Sequence, residues 1–124
     1  MHAATAYGLV LLTILLTVYG QFAIKWQVLA SPPMPADLHG RAMHLFHLFT
    51  SPLVVSALAA AVVASATWML AMTRLPLSHA HPMTALTFVL VVFGSNVLFS
   101  EPITTPKVIG LTLIVIGIIV GAQG

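Results

Sequence analysis

The feature that most constrains this chain is its first apolar run, which carries a polar stripe through its body. It covers residues 6–28, and its second half reads LTILLTVYGQFAIKWQV. About 20 consecutive apolar residues are enough to cross the hydrocarbon core of a bilayer as a helix. Thr13, Thr17, Gln21 and Lys25 recur at i+4 steps, so they share one slowly spiralling helix face. A polar stripe turned to lipid is costly, so this face is expected to look into a protein interior or a wet cavity. Gly20 beside Gln21 would let another backbone come close, and Lys25 near the end of the run can snorkel to the headgroups.

The rest of the chain cannot make a soluble domain around such a run. Of 124 residues, 60% are hydrophobic and 5% charged, whereas soluble domains carry about 25% charged residues. The charges are Lys25, Arg41, Arg74, Lys107, Asp37 and Glu101, too few to coat a water-soluble globule. An all-α integral membrane protein is expected. The small excess of base does not point to nucleic acid. Without cysteine there are no disulfides and no thiolate metal sites. The N-terminus lacks a basic n-region and a small-residue cleavage site, so the first span is expected to stay in the protein.

One domain of four spans follows from the order of apolar runs, at about 6–28, 52–72, 79–99 and 106–121. The connector 29–51 opens with Pro32, Pro33 and Pro35 and continues as DLHGRAMHLFHLF. That stretch reads as a short interfacial helix or as a pre-turn of the next span. In the second span Ala57, Ala61 and Ser65 form one i+4 row, and Ser56, Ala60 and Ala64 another; both suit close helix packing. Trp68 lies near the end of that span, where interfacial aromatics sit. For the third span Ser78 is the expected N-cap, which places Pro82 in the first turn. For the fourth, Thr105 is the expected N-cap and Pro106 the first helical residue. Gly110, Gly117 and Gly121 share a face of the fourth span, a seam through which two copies could pair.

Four spans put both termini on one side of the membrane and loops one and three on the other. Lys25, Arg41 and Lys107 then oppose Arg74, too thin a margin to set the orientation. The same topology gathers Lys25, Glu101 and Lys107 at one membrane face, with Gln21 pointing toward them from within. Two cations and a carboxylate beside a polar groove suit an anionic headgroup such as a phosphate, aided by the N-terminus of the fourth helix. The plainer alternative is that both lysines snorkel and Glu101 closes a turn. Asn96, deep in the third span, is a further candidate, because an amide in hydrocarbon needs a partner. His81, just before Pro82, could contact a headgroup or simply cap its helix. His39, His44 and His47 have no acidic partner at ligand spacing, so interfacial histidines are expected rather than a metal site. Tyr7 and Tyr19 read as packing or belt residues. No nucleophile–base–acid arrangement and no phosphate-cradling glycine loop is visible; neither enzyme chemistry nor a cofactor is expected.

YGQFAIK in the first span, LSHAHPM opening the third, SEPITTPKVIG opening the fourth and LTLIVIGIIVGA closing it resemble the drug/metabolite transporter superfamily. Within it the chain resembles the EamA-type, small-multidrug-resistance-like proteins. The pattern is most similar to the paired subunits that flip 4-amino-4-deoxy-arabinose-phosphoundecaprenol across the bacterial inner membrane. Gly20, Gln21 and Lys25 match that group's G-Q-x-x-x-K, and Glu101 and Pro102 its E-P. Ala80, His81, Pro82 and Met83 match its A-Y-P-M, with histidine in place of tyrosine. The small drug exporters carry a membrane-embedded glutamate that falls at Thr17 on this alignment. A hydroxyl does not titrate near neutral pH, so proton-coupled drug exchange through that position is excluded.

The resemblance implies a dimer, either a homodimer or a heterodimer with a similar small subunit, whose groove is built from the first three spans. It implies translocation of a polyprenyl-phosphate-linked sugar or similar lipid-linked anion. Lys25 and Lys107 would attract phosphate, and Gln21 and Asn96 would bind sugar. Glu101 would organise Lys25 or recognise an amino sugar, with Thr17 and His81 completing the substrate contacts. The alternatives are a metabolite or drug exporter of the same fold, or a membrane subunit that only scaffolds a partner.

Overall fold

A computed structural model describes residues 2–124. The elements are all helical: α1 (Ala3–Ala30), α2 (Leu38–Thr50), α3 (Pro52–Met72), α4 (Leu77–Met83), α5 (Leu86–Phe99) and α6 (Thr105–Gly121). The first helix is longer than the apolar pattern implies, 28 residues, or about 42 Å at 1.5 Å per residue. Three stretches are long and apolar enough to cross a membrane: Ala3–Ala30, Pro52–Met72 and Leu77–Phe99. The last apolar helix, α6, has 17 residues, about 25 Å.

The α1 helix is the hub. It packs along α3 on one side and α5 on the other, and α6 reaches α5 and α4. Pairings along its length fix the directions. Thr13 meets Thr67 and Tyr19 meets Ser56, so α3 runs antiparallel. Tyr7 meets His79 of α4 at one end while Phe22 and Trp26 meet Phe99 of α5 at the other, so the stretch from α4 to α5 runs parallel to α1. The core is one apolar line on α1, Ala6, Val10, Ile14 and Val18, closed by Ala71, Leu75 and Ala80. Small side chains on α3 make the α1 contact close: Ala57, Ala60 and Ala64 are all buried.

The third apolar stretch departs from the expected single helix over 79–99. Its helix begins at Leu77 after Pro76, so Ser78 is not the cap and Pro82 lies inside α4. Proline has no N–H to donate to the previous turn, and the helix runs only one residue past it. Thr84 and Ala85 then close i→i+3 bonds to the carbonyls of His81 and Pro82, each at 3.0 Å. The Thr84 hydroxyl adds a third, donating to the His81 carbonyl at 2.6 Å. This tighter turn breaks the stretch into α4 and α5. At the fourth stretch Thr104 is the cap and helix begins at Thr105, one residue early, with Pro106 still in the first turn.

The connector resolves in favour of a separate helix. Asp37 caps α2 by accepting from the Gly40 N–H at 2.8 Å, and extended Ser51 followed by Pro52 separates α2 from α3. The half-buried residues of α2 are Gly40, His44 and Leu48. Leu38, Leu45, Phe46 and Phe49 are exposed, so the apolar face of α2 points away from the protein. Water would penalise that arrangement, and the acyl boundary of a bilayer accepts it.

Candidate functional site

The polar stripe of α1 faces a half-open groove between α1 and α3, about 470 Å³ in volume. Thr13, Thr17, Gly20 and Gln21 line it from α1; Ala57, Ala61, Ser65 and Trp68 line it from α3. The third stretch contributes no lining residue, so the groove belongs to the first two spans rather than the first three. The reason is packing order: α1 stands between α3 and α5.

Two hydroxyls of the stripe are compatible with hydrocarbon because they bond to the helix itself. Thr17 donates to the Thr13 carbonyl at 2.8 Å and Thr13 to the Leu9 carbonyl at 2.9 Å. Thr13 also meets the Thr67 hydroxyl at 2.6 Å, pinning the two helices together at one end of the groove. Ser65 donates to the Ala61 carbonyl at 3.0 Å. Gln21 is exposed to the groove and has no hydrogen-bond partner among the described residues. An amide needs one, which makes Gln21 the groove's open valence.

Lys25, next on the stripe, leaves the groove and pairs with Glu101. Their Nζ and Oε1 atoms are 3.8 Å apart, and the two side chains are 48% and 43% exposed. The turn after α5 positions the carboxylate. Ser100 takes the left-handed conformation, φ 55° and ψ 30°, and its N–H turns back to the Ser95 carbonyl. The Glu101 N–H reaches the same carbonyl at 3.3 Å. Asn96 donates from Nδ2 to the Glu101 carbonyl at 2.9 Å. Asn96 is therefore not deep in its span; it is exposed in the last turn of α5 and holds Glu101 in place. Lys107 lies at the same end and donates to the Pro102 carbonyl at 3.2 Å.

The ends of α1 and α5 are locked beside this cluster by aromatic packing. Phe99 stands 6.2 Å from Phe22 and 6.0 Å from Trp26, centroid to centroid. The Phe22 ring fills the space that a side chain at Gly94 would need. A methyl group would collide at Gly94, and likewise at Gly40 beside Asp37 and Pro35 in the connector. At Gly20 an added Cβ would sit 3.6 Å from the Ala57 carbonyl oxygen, an ordinary contact.

The expected site residues therefore divide. Lys25, Asn96, Glu101 and Lys107 gather at one end of the bundle, and Thr17 and Gln21 line the groove. His81 sits at the opposite end, its ring edge-on to Trp68 with centroids 6.1 Å apart. His79 there bonds to the Tyr7 hydroxyl at 2.9 Å. Gly110, Gly117 and Gly121 have nothing within 4 Å of an added Cβ. Among the described residues no three His, Cys, Asp or Glu side chains converge as metal ligands. Trp68 as a groove residue was missed. The signal for it is the spacing of Ala61, Ser65 and Trp68, which share a helix face.

No protein-family model and no solved structure matches this chain. Curated relatives do match, over nearly the whole length. One is the "Probable 4-amino-4-deoxy-L-arabinose-phosphoundecaprenol flippase subunit ArnE" of Pseudomonas paraeruginosa, 35% identical over 90% of this chain and 91% of its own. The corresponding ArnF subunit of Yersinia enterocolitica is 32% identical over 90% of this chain and 89% of its own. The ArnE subunit of Aeromonas salmonicida is 34% identical over 88% and 90%. With these relatives and three helical stretches able to span a bilayer, the chain is a multi-pass membrane protein, and it belongs to the ArnE/ArnF family of aminoarabinose-phosphoundecaprenol flippase subunits.

Proposed function

We propose that this chain is one subunit of a small translocator that moves a polyprenyl-phosphate-linked amino sugar, or a similar lipid-linked anion, across the bacterial inner membrane. The observation that carries this reading is the half-open groove between α1 and α3, polar along its α1 wall and uncharged throughout its lining. A groove open to one side can shield a sugar while the polyprenyl tail stays in lipid. The absence of a carboxylate among its lining residues disfavours the alternative, a proton-coupled exporter of cationic drugs.

In this reading α6 is the fourth span, which puts residues 1–124 in one domain with both termini on the same side. The Lys25–Glu101 pair and Lys107 form the phosphate station at the membrane face. An arriving phosphate takes Lys25 over from Glu101, so neither cation nor anion is left without a counter-charge. Asn96 and the Ser100 turn keep Glu101 within reach. Thr17 and Gln21 meet the sugar in the groove. No bond is made or broken, and no cofactor takes part.

A bundle this small encloses little, so the working unit is a dimer, homomeric or with a similar subunit, paired through Gly110, Gly117 and Gly121. Gly117→Leu then lowers cross-linked dimer in native membranes; an unchanged yield places the seam elsewhere. The function itself is tested in proteoliposomes loaded with a short-chain polyprenyl phosphate bearing 4-amino-4-deoxy-L-arabinose. A membrane-impermeant amine-reactive reagent labels only the sugar exposed outside. Vesicles holding this chain, alone or with a similar second subunit, should bring inner-leaflet lipid to the reagent faster than empty vesicles do. Equal rates would overturn the proposal.

A further inference from the structure

We infer that Trp68 is the sugar-recognition surface of the groove, its indole face taking the C–H face of the pentose while Gln21 and Ser65 take hydroxyls. This rests on the translocator reading and adds to it where, and by what, the sugar is told apart from bare lipid phosphate.

A pentose ring presents apolar C–H faces edged by hydroxyl groups. The complementary surface is a flat aromatic framed by hydrogen-bonding groups without net charge. The groove supplies that combination: Trp68 and Ser65 lie one turn apart on α3, with Gln21 and Thr17 on the α1 wall. Among the described residues Trp68 is the only aromatic one that lines the groove. It is half-buried, and the Thr13–Thr67 hydrogen bond clamps its neighbour to α1. His81 of α4 packs against the same indole at an interplanar angle of 74°, so the ring is braced on the side of α4. A rigid aromatic loses little entropy on stacking, which is why such residues dominate recognition sites.

The location separates sugar from phosphate in sequence. Thr13, opposite Thr67, and Lys25 are twelve residues apart on α1, about 18 Å along the helix. One sugar phosphate cannot bridge that length. The headgroup therefore occupies the Lys25 end and the Trp68 end in succession, and the two ends make separable contributions to binding.

The test compares two probes in nanodiscs: a short-chain polyprenyl phosphate bearing 4-amino-4-deoxy-L-arabinose, and the same polyprenyl phosphate without sugar. The parent protein should prefer the sugar-bearing lipid by about tenfold or more. Trp68→Leu should bring that preference to within about twofold of unity while its affinity for the bare lipid stays within about twofold of the parent. Trp68→Phe keeps a flat ring and should retain a substantial share of the preference, so a folding defect in the leucine variant does not decide the matter. Lys25→Ala should weaken both lipids by similar factors and leave their ratio in place. Equal loss of both lipids in Trp68→Leu, an unchanged ratio in both Trp68 variants, or a parent without preference would each overturn the role of Trp68. A parent that binds neither lipid would instead overturn the translocator reading, and this inference with it.

Discussion

The two sides of α1 are built on opposite principles. Along one line the helix presents Ala6, Val10, Ile14 and Val18, packed dry against Ala71 at the end of α3, Leu75, and Ala80 of α4, and covered by Leu86, Leu90 and Val91. Toward α3 it presents Thr13, Thr17, Gly20 and Gln21 to a groove that the facing side chains do not fill. The dry side uses shape: the Phe22 ring occupies the space left by Gly94. The groove side uses small residues to bring backbones close and then leaves space beside them. One helix thus serves as the spine of the fold on one side and the wall of an open groove on the other, and substitutions on the two sides should differ in kind.

The largest difference is expected from a charge. Val10→Asp buries a carboxylate where the native side chain is fully enclosed, a cost of about 3 kcal/mol or more even on mild scales. Little monodisperse protein should survive extraction into detergent. Thr17→Asp, on the groove side, should still extract as folded protein because its side chain can reach the open space. Size-exclusion profiles that match for the two variants would erase the contrast.

Next come the two glycines. Gly94→Ala drives a methyl group into the Phe22 ring and should destabilise by about 1–3 kcal/mol, the usual range for overpacking. Gly20→Ala meets only ordinary contacts and should be neutral or up to about 1 kcal/mol stabilising, from helix propensity. Thermal unfolding in one detergent compares them. A reversed order would mean that Gly20 beside Ala57, and not Gly94 beside Phe22, is the position without room for a methyl group.

The smallest effect on stability is expected at the most conspicuous pair. Lys25 and Glu101 are each nearly half exposed and 3.8 Å apart, so their coupling in a double-mutant cycle should lie below about 1 kcal/mol. Transport should respond far more strongly, because Lys25→Ala removes the phosphate's counter-charge. Glu101→Gln should bind lipid phosphate more tightly and release it more slowly. A large stability coupling with unimpaired transport would make the pair a structural clip.

Particular residues show how far the sequence reaches. That Thr13, Thr17 and Gln21 share a face follows from i+4 spacing in an apolar helix, and the Gln21 amide, which lipid would leave unpaired, points that face to a cavity. That Lys25 and Glu101 lie at one end follows from the order of the apolar runs; that they meet depends on the Ser100 turn and on Asn96. Pro82 shows where this reasoning stops. The chain could have started its helix at Ser78 and hidden the proline in the first turn, or at Leu77 and broken after it. In the structure the helix starts at Leu77, with Ala80 and Leu75 both in the core beside α1.

Asn96 and Trp68 have surroundings that the local pattern does not show, for a related reason. Depth in a span and direction around a helix depend on where the helix ends and on what stands next to it. Asn96 became a support for Glu101 once α5 ended at Phe99 and Ser100 turned left-handed. Trp68 became a groove wall once α3 lay antiparallel on α1 with Thr67 against Thr13.

Helicity, membrane residence and the polar face of α1 are determined by the sequence alone, because the spacing of apolar and polar residues along one chain dictates them and bilayer solvation penalises every other solution. Which helix completes the groove, where the third stretch breaks and which aromatic looks into the cavity were decided only in the tertiary structure. Those outcomes depend on contacts between residues far apart in sequence, such as Thr13 with Thr67 and Phe22 with Gly94, whose energies no local pattern carries.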